Sequence, residues 1–156
     1  ANVMNVVEAH QKGVHGNNIV ICGGGLIGCD AALEFAMEGK KITVIEMLDE
    51  CARDAMLINK ISLMRMLAEN DVTLMTNSKV MEIDSGGVIV EKPDGTKEKI
   101  EADTVIIAFG QTNDNDLVDK VMSKYYMKTR VVGDAEKVDK VGNAIRTAFY
   151  AAMAIE

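Results

Sequence analysis

From residue 18 the chain reads NIVIC, a β-branched run without polar alternation, which predicts a parallel strand buried on both faces. The period then lengthens. Over residues 26–38 the apolar positions Ile27, Ala31, Leu33, Phe35 and Met37 recur at helical spacing, and Gly39 supplies a stop. Residues 41–46, KITVIE, return to a strand, so strand, helix and strand fall within about the thirty residues of a βαβ unit, and its two strands are expected to lie parallel. Residues 55–69 place Met56, Ile58, Ile61, Leu63, Met64 and Leu67 in a mainly helical pattern that ends at Asn70, and residues 72–75 form a short third strand.

After residue 78 the rhythm becomes that of half-buried strands. Residues 79–83, 88–91 and 98–100 alternate apolar and polar positions and are separated by Gly86-Gly87 and by Pro93-Asp94-Gly95, which predicts an antiparallel meander with one wet face. Residues 104–109, TVIIAF, are continuously apolar again and fit a strand that rejoins the central sheet before Gly110. In the tail, residues 116–122 read as helix, 125–132 as strand or coil, and 141–155 as an alanine-rich helix after a polar stretch opened by Gly133-Asp134. Residues 3–12 read as a short helix broken by Gly13 and Gly16, a lead-in to the first βαβ unit. The expected organisation is a lead-in over residues 1–16, a nucleotide-binding domain over 17–113 and a distinct segment over 114–156. The expected fold class is α/β, a Rossmann-like domain with a central parallel sheet, flanking helices and an antiparallel meander.

Composition narrows the partners more than the fold. A net charge of −7 with no dense Lys/Arg run leaves no basic face for nucleic acid or for an anionic membrane. No apolar run reaches the roughly 18 to 20 residues of a membrane span, and the first residues lack the layout of a secretion signal, so the expected setting is cytoplasmic. Cys22, Cys29 and Cys51 form no C-x-x-C pair and have no matching histidine spacing, so buried reduced thiols are expected rather than disulfides or a zinc site. His10 and His15 read as solvated loop residues, and the methionines crowded between Met47 and Met81 as adaptable core filling. No metal site is expected.

Candidate chemistry is concentrated at Gly23-Gly24-Gly25-Leu26-Ile27-Gly28, a match to G-x-G-x-x-G. Such a match is weak alone; its position at the exit of a strand and the start of a helix gives it meaning. Gly23 permits the tight turn, Gly25 the approach of a pyrophosphate to the backbone, and Gly28 close packing of helix on sheet. The helix opening at Leu26 aims free N–H groups and its positive dipole end at that phosphate. Glu46 closes the second strand, where a carboxylate accepts both hydroxyls of an adenosine ribose and repels the extra phosphate of NADP, which favours NAD(H). Three alternatives stay open on these residues: a turn that binds nothing, an FAD site, or the site of another adenosine nucleotide such as S-adenosylmethionine. Arg53 lies near enough in sequence for its guanidinium to reach a 2′-phosphate, the opposite preference, but is expected to be solvated at the start of its helix.

With GGGLIGCD, VIEM, the meander, TVIIAFGQTNDN and VVGDAEKVDKVGNAIRTAFYAA, the chain from residue 17 onward resembles the pyridine nucleotide-disulfide oxidoreductase class of flavoproteins. In particular it resembles the C-terminal region of NADH:flavin oxidoreductases of the 2-enoate reductase and 2,4-dienoyl-CoA reductase type. The resemblance implies an NAD(P)H domain inserted in an FAD domain, with the chain returning to the FAD domain at a G-x-x-P-N motif whose glycine is Gly110. It implies that Asp134, in a Gly-Asp pair before an Ala-rich helix, is the acid placed against the flavin ribityl chain, and that Asp30 lies toward the nicotinamide end. Asp30 stands where many members have Glu, and Asn113 takes the Pro position of the crossover motif. The family's redox-active cysteine pair is missing, which suits the enoate reductase branch, in which electrons continue to an iron-sulfur cluster and FMN in a separate barrel.

The implied activity is hydride delivery from NADH to FAD, in which the cofactors do the chemistry and the protein supplies orientation and exclusion of water. No catalytic residue is expected within the chain. An FAD domain of this class carries its own first glycine motif, and only one such motif occurs here, so the chain is expected to be a domain fragment, with 17–113 the NAD(H)-binding domain and 114–156 a C-terminal remnant of the FAD-binding domain packed on it. Its expected partners are the missing FAD half and the FMN barrel of a longer enzyme, and alone it should bind NADH without turnover. The rival readings are a non-enzymatic nucleotide-binding or interaction domain and an adenosylmethionine-dependent transferase.

Overall fold

The computed structural model describes residues 1–155. The chain divides into two compact units, Ala1–Gly110 and Gln111–Glu156. In the first, strand β1 (Asn2–Asn5) leads into helix α1 (Val6–Lys12), followed by β2 (Asn18–Cys22), α2 (Leu26–Met37), β3 (Lys41–Ile45), α3 (Leu57–Glu69) and β4 (Thr73–Met75). The strands β5 (Lys79–Asp84), β6 (Gly87–Glu91) and β7 (Lys97–Glu101) then precede β8 (Thr104–Ile107). A five-stranded sheet has the order β1-β8-β2-β3-β4 with every neighbouring pair parallel, and β5-β6-β7 form a separate antiparallel sheet.

The absence of polar alternation in the central strands has its cause in two cores. Ile19 and Ile21 of β2, Ile42 and Val44 of β3 and Ile106 of β8 join Cys29, Ala32, Phe35, Leu63 and Leu67 from the helices. Their alternates Val20, Cys22, Ile45 and Val105 pack with Val88 and Val90 of the meander. Both faces of the sheet are thus covered, as a parallel sheet requires. Each fully buried aliphatic or aromatic side chain contributes roughly 1.5–3 kcal/mol.

The N-terminal residues do more than lead in. Asn2–Asn5 pairs with Thr104–Ile107 as the outer strand of the sheet, and the expected helix starts only at Val6. Asn5 stops the strand and caps the helix: its side chain accepts the Glu8 N–H at 2.9 Å, while the Glu8 carboxylate accepts the Asn5 N–H at 3.2 Å, a reciprocal capping box. His10 therefore sits on a helix rather than a loop, 2.9 Å from the Glu34 carboxylate and stacked on Phe35. Helix α3 begins at Leu57, and of its apolar stripe only Leu63 and Leu67 are buried. Met56, Ile58 and Ile61 are exposed, as are Met47 and Met81, so the methionines at 47, 56 and 81 do not fill the core as expected. The three cysteines are free and buried, as expected.

The second unit holds helices α4 (Asp116–Tyr125) and α5 (Val141–Met153), with single 3-10 turns at Tyr126–Lys128 and Gly133–Ala135. The 3-10 turn at Tyr126–Lys128 stands where strand or coil was expected. No helix among the described residues is long and apolar enough to cross a membrane.

Candidate nucleotide-binding site

The carboxyl ends of β2, β3 and β8 hold the glycine segment. Strand order reverses beside β2, with β3 on one side and β8 on the other, the place where open α/β sheets form their ligand crevice. Gly23 leaves β2 with φ +114, its N–H donating to the Ile45 carbonyl at 2.8 Å. A Cβ at this position would stand 2.4 Å from the Ala108 carbonyl oxygen, so the turn is open only to glycine. Gly28, in the first turn of α2, meets the same limit: a Cβ there would lie 2.0 Å from the Gly23 carbonyl oxygen, and the helix rests directly on the turn that precedes it.

Gly25 differs from both. It is the N-cap of α2, has no side-chain cap partner, and has open space where a Cβ would be. Leu26 and Ile27 come next, both exposed. The first turn of α2 therefore presents uncapped backbone N–H groups beside free space, the electrostatic arrangement suited to an anion.

Glu46 connects the second strand to this turn. Its Oε2 accepts the Gly24 N–H at 2.7 Å and its Oε1 accepts the Leu48 N–H at 2.8 Å. The Glu46 backbone is fixed as well, donating to the Met75 carbonyl at 2.8 Å and accepting the Ser78 N–H at 2.9 Å. Each carboxylate oxygen keeps a second acceptor position. The half-buried acid is held across the mouth of the turn, which accounts for the spacing between the motif and Glu46 in the sequence.

Further groups brace the turn without a signal in the sequence reading. The Gly24 carbonyl accepts the Ala52 N–H at 2.7 Å and the Cys29 thiol at 3.3 Å, and Ala52 achieves its contact in the left-handed region at φ 48. Ala108 walls both Gly23 and Gly28. Alanine at positive φ and a buried thiol carry no pattern that periodicity detects.

Arg53 is engaged elsewhere. Its guanidinium lies 2.5 Å from Asp49 and 3.5 Å from Glu50, and Lys60 reaches Glu50 at 2.6 Å. Asp30 is exposed on α2, and partial burial raises its carboxyl above the ordinary value. Gly110 ends the first unit with φ +94 and open space about it.

Asp134 belongs to the second unit, in the 3-10 turn Gly133–Ala135. The Gly133 N–H donates to the Thr147 hydroxyl at 2.9 Å, and the Asp134 carboxylate accepts the Asp139 N–H at 3.4 Å. The structure thus brings Gly23, Gly24, Gly25, Leu26, Ile27, Gly28 and Glu46 together in one unit, while Asp134 is placed in the other. Among the described residues no cluster of three or more His, Cys, Asp or Glu side chains is arranged to hold a metal.

Comparison with known proteins supplies the class. Residues 2–147 match the model of the family described as pyridine nucleotide-disulphide oxidoreductase. The chain belongs to that family, with a Rossmann-like nucleotide-binding fold of the flavoprotein oxidoreductases. It is similar to an NADH oxidase of Thermoanaerobacter brockii, 32% identical over 88% of this chain and 21% of that protein. It is also similar to a cinnamate reductase of Clostridium sporogenes, 28% identical over 88% of this chain and 21% of the relative. Among solved structures, a 2-naphthoyl-CoA reductase in complex with 2-naphthoyl-CoA superposes with a TM-score of 0.85 at 30% identity, covering 99% of this chain and 24% of the other. The chain thus spans about a fifth to a quarter of the length of these relatives.

Proposed function

We propose that the first unit binds NADH and serves as the NAD(H)-binding domain of a flavin-dependent oxidoreductase of the NADH:flavin oxidoreductase and enoate reductase type. One observation carries this reading: Glu46 is held 2.7 Å from the Gly24 amide, so the acid that suits a ribose and the turn that suits a diphosphate are fixed relative to each other before any ligand arrives. Such preorganisation removes part of the ordering cost of binding.

In this reading the N–H groups at the start of α2 hold the diphosphate, and Gly25 leaves the space for it. The spare acceptor positions of Glu46 take the adenosine ribose hydroxyls. Its charge disfavours a 2′-phosphate, and Arg53 offers no compensation because Asp49 and Glu50 already occupy its guanidinium. Asp30, farther along α2, is assigned to the nicotinamide end. When bound, NADH supplies a hydride to FAD, and no side chain of this chain is required as acid, base or nucleophile in that transfer. Asp134 is assigned to the FAD site of a longer enzyme whose remaining FAD half and FMN barrel complete it, the chain alone being without turnover.

The test is calorimetric titration of the chain with NADH, NADPH and FAD. Saturable NADH binding, with NADPH weaker by about ten-fold or more, is the expected result. Equal affinity for the two nicotinamide nucleotides would remove the specificity assigned to Glu46, and binding of FAD in preference to NADH would reassign the site.

A further inference from the structure

The glycine turn is flanked by two thiols that its proposed function does not use. Cys29 lies in the first turns of α2 and Cys51 in the loop after β3, and both are buried in the same core cluster. They converge on Gly24. The Cys29 thiol donates to the Gly24 carbonyl at 3.3 Å, and a Cβ on Gly24 would meet the Cys51 sulfur at 2.7 Å. Both sulfurs thus lie against the same glycine within one buried cluster. Cys22, by contrast, points into the other core on the far face of the sheet, where burial pushes its thiol up to about 12.

We propose that Cys29 and Cys51 are a redox-active dithiol that closes to a disulfide under a hydroperoxide and weakens nucleotide binding at the adjoining turn. The binding half of this inference rests on the NADH-binding reading above; the disulfide half does not. The pair is asymmetric in a way that assigns roles. The neighbouring Cys29 thiol holds the Cys51 thiol below its ordinary value, whereas the same neighbour, with burial, raises Cys29. Cys51, the more acidic thiol and on a loop between exposed Glu50 and Arg53, is the attacking group.

The Cys51 thiolate attacks one oxygen of hydrogen peroxide, the O–O bond breaks, and the departing hydroxide takes up the proton that Cys51 released, leaving a sulfenic acid and one water. The Cys29 sulfur then attacks the Cys51 sulfur, the S–O bond breaks, and the hydroxyl leaves with the Cys29 proton as a second water. Two electrons pass from the two thiols to the peroxide, so the step balances. A disulfide draws the sulfurs to about 2.05 Å, well inside hydrogen-bond contact, and abolishes the Cys29 donation to Gly24. Because no space separates Gly24 from Cys51, the displacement reaches the residue whose N–H holds Glu46.

The experiment treats the folded full chain with hydrogen peroxide, maps disulfides by mass spectrometry after blocking free thiols, and measures NADH affinity before and after, with recovery by dithiothreitol. The expected result is a Cys29–Cys51 cross-link lighter by two hydrogens, an NADH affinity about five-fold or more weaker, and restoration on reduction. Cys22→Ser keeps the response and Cys51→Ser loses it. Intact thiols, a cross-link through Cys22, or irreversible oxidation of Cys51 without a cross-link would overturn the dithiol. An oxidised chain that binds NADH as tightly as the reduced one would overturn the coupling. A reduced chain that fails to bind NADH would defeat the nucleotide reading and the coupling with it, while the cross-link map still decides the dithiol.

Discussion

The two units each place a positive-φ glycine turn shortly before a helix, yet they differ in what surrounds it. In the first, the Gly23–Gly28 turn is wedged between the strand ends and α2, and a methyl group at Gly28 would lie 2.0 Å from backbone. In the second, Gly133 has φ +60, but a methyl group there would meet only Ala144, its Cβ at 3.3 Å and its Cα at 3.7 Å. The first unit has two cores beneath its turn, whereas among the described residues neither α4 nor α5 contains a buried one. Ile145, Phe149 and Met153 of α5 are exposed. A glycine turn becomes a rigid binding element only when packed strands and a helix fix it from below; without that support it remains a local turn.

The contrast is broken most directly at the glycines. Gly28→Ala should destabilise the first unit by about 3 kcal/mol and abolish NADH binding, because the obstructing atom is a backbone carbonyl that cannot move aside. Gly133→Ala should cost only about 1 kcal/mol and leave NADH affinity unchanged. Urea unfolding and nucleotide titration of the two variants compare them. Similar losses in both would mean that the turns do not differ as described.

Removing the acid should have the next largest effect. Glu46→Ala leaves the Gly24 and Leu48 amides without their acceptor, and NADH affinity should fall by about ten-fold or more as discrimination against NADPH shrinks. Hydrogen exchange sharpens the same comparison without mutation. Amides of β2 and β8 should exchange slower than those of α4 and α5 by roughly two orders of magnitude or more, and equal protection would contradict the difference in support.

A pH effect should be smaller and confined to acid. The backbone N–H groups of Asn18 and Asn17 hold the Asp103 carboxyl below its ordinary 3.8, so its stabilising contribution is complete above that value and is lost as pH falls through the lower folded-state value. Asp103→Asn should flatten the acid limb of the stability curve by lowering Tm at neutral pH while leaving it nearly unchanged below the folded-state value, measured as Tm against pH. Least of all, Arg53→Ala should change NADPH affinity by less than about two-fold, since its guanidinium is already paired with Asp49 and Glu50.

Much of this was legible in the chain. The strands buried on both faces announced themselves by the missing alternation in NIVIC, KITVI and TVII, and the meander by its return. The glycine motif was legible because Gly23 and Gly28 answer steric demands at a strand exit that leave a spaced pattern, and Glu46 because it closes the next strand. The edge strand Asn2–Asn5 was not, because only Met4 among its four residues is buried and polar ends conceal an outer strand. Nor was the exposure of Met56, Ile58 and Ile61 on α3, since periodicity reports an apolar stripe and not what covers it. The bracing by Ala52 and Cys51 arises from contacts across the loop after β3, to which local sequence is blind.

Backbone amide spectra of the isotopically labelled chain, recorded during NADH titration, test the central claim most directly. The shifts should concentrate at Gly24, Gly25, Leu26 and Ile27 and require several-fold more NADH, up to about ten-fold, in Glu46→Gln, with Gly133 and Asp134 unmoved. Saturable shifts centred anywhere other than the start of α2, or unchanged in the Glu46 variant, would contradict the account.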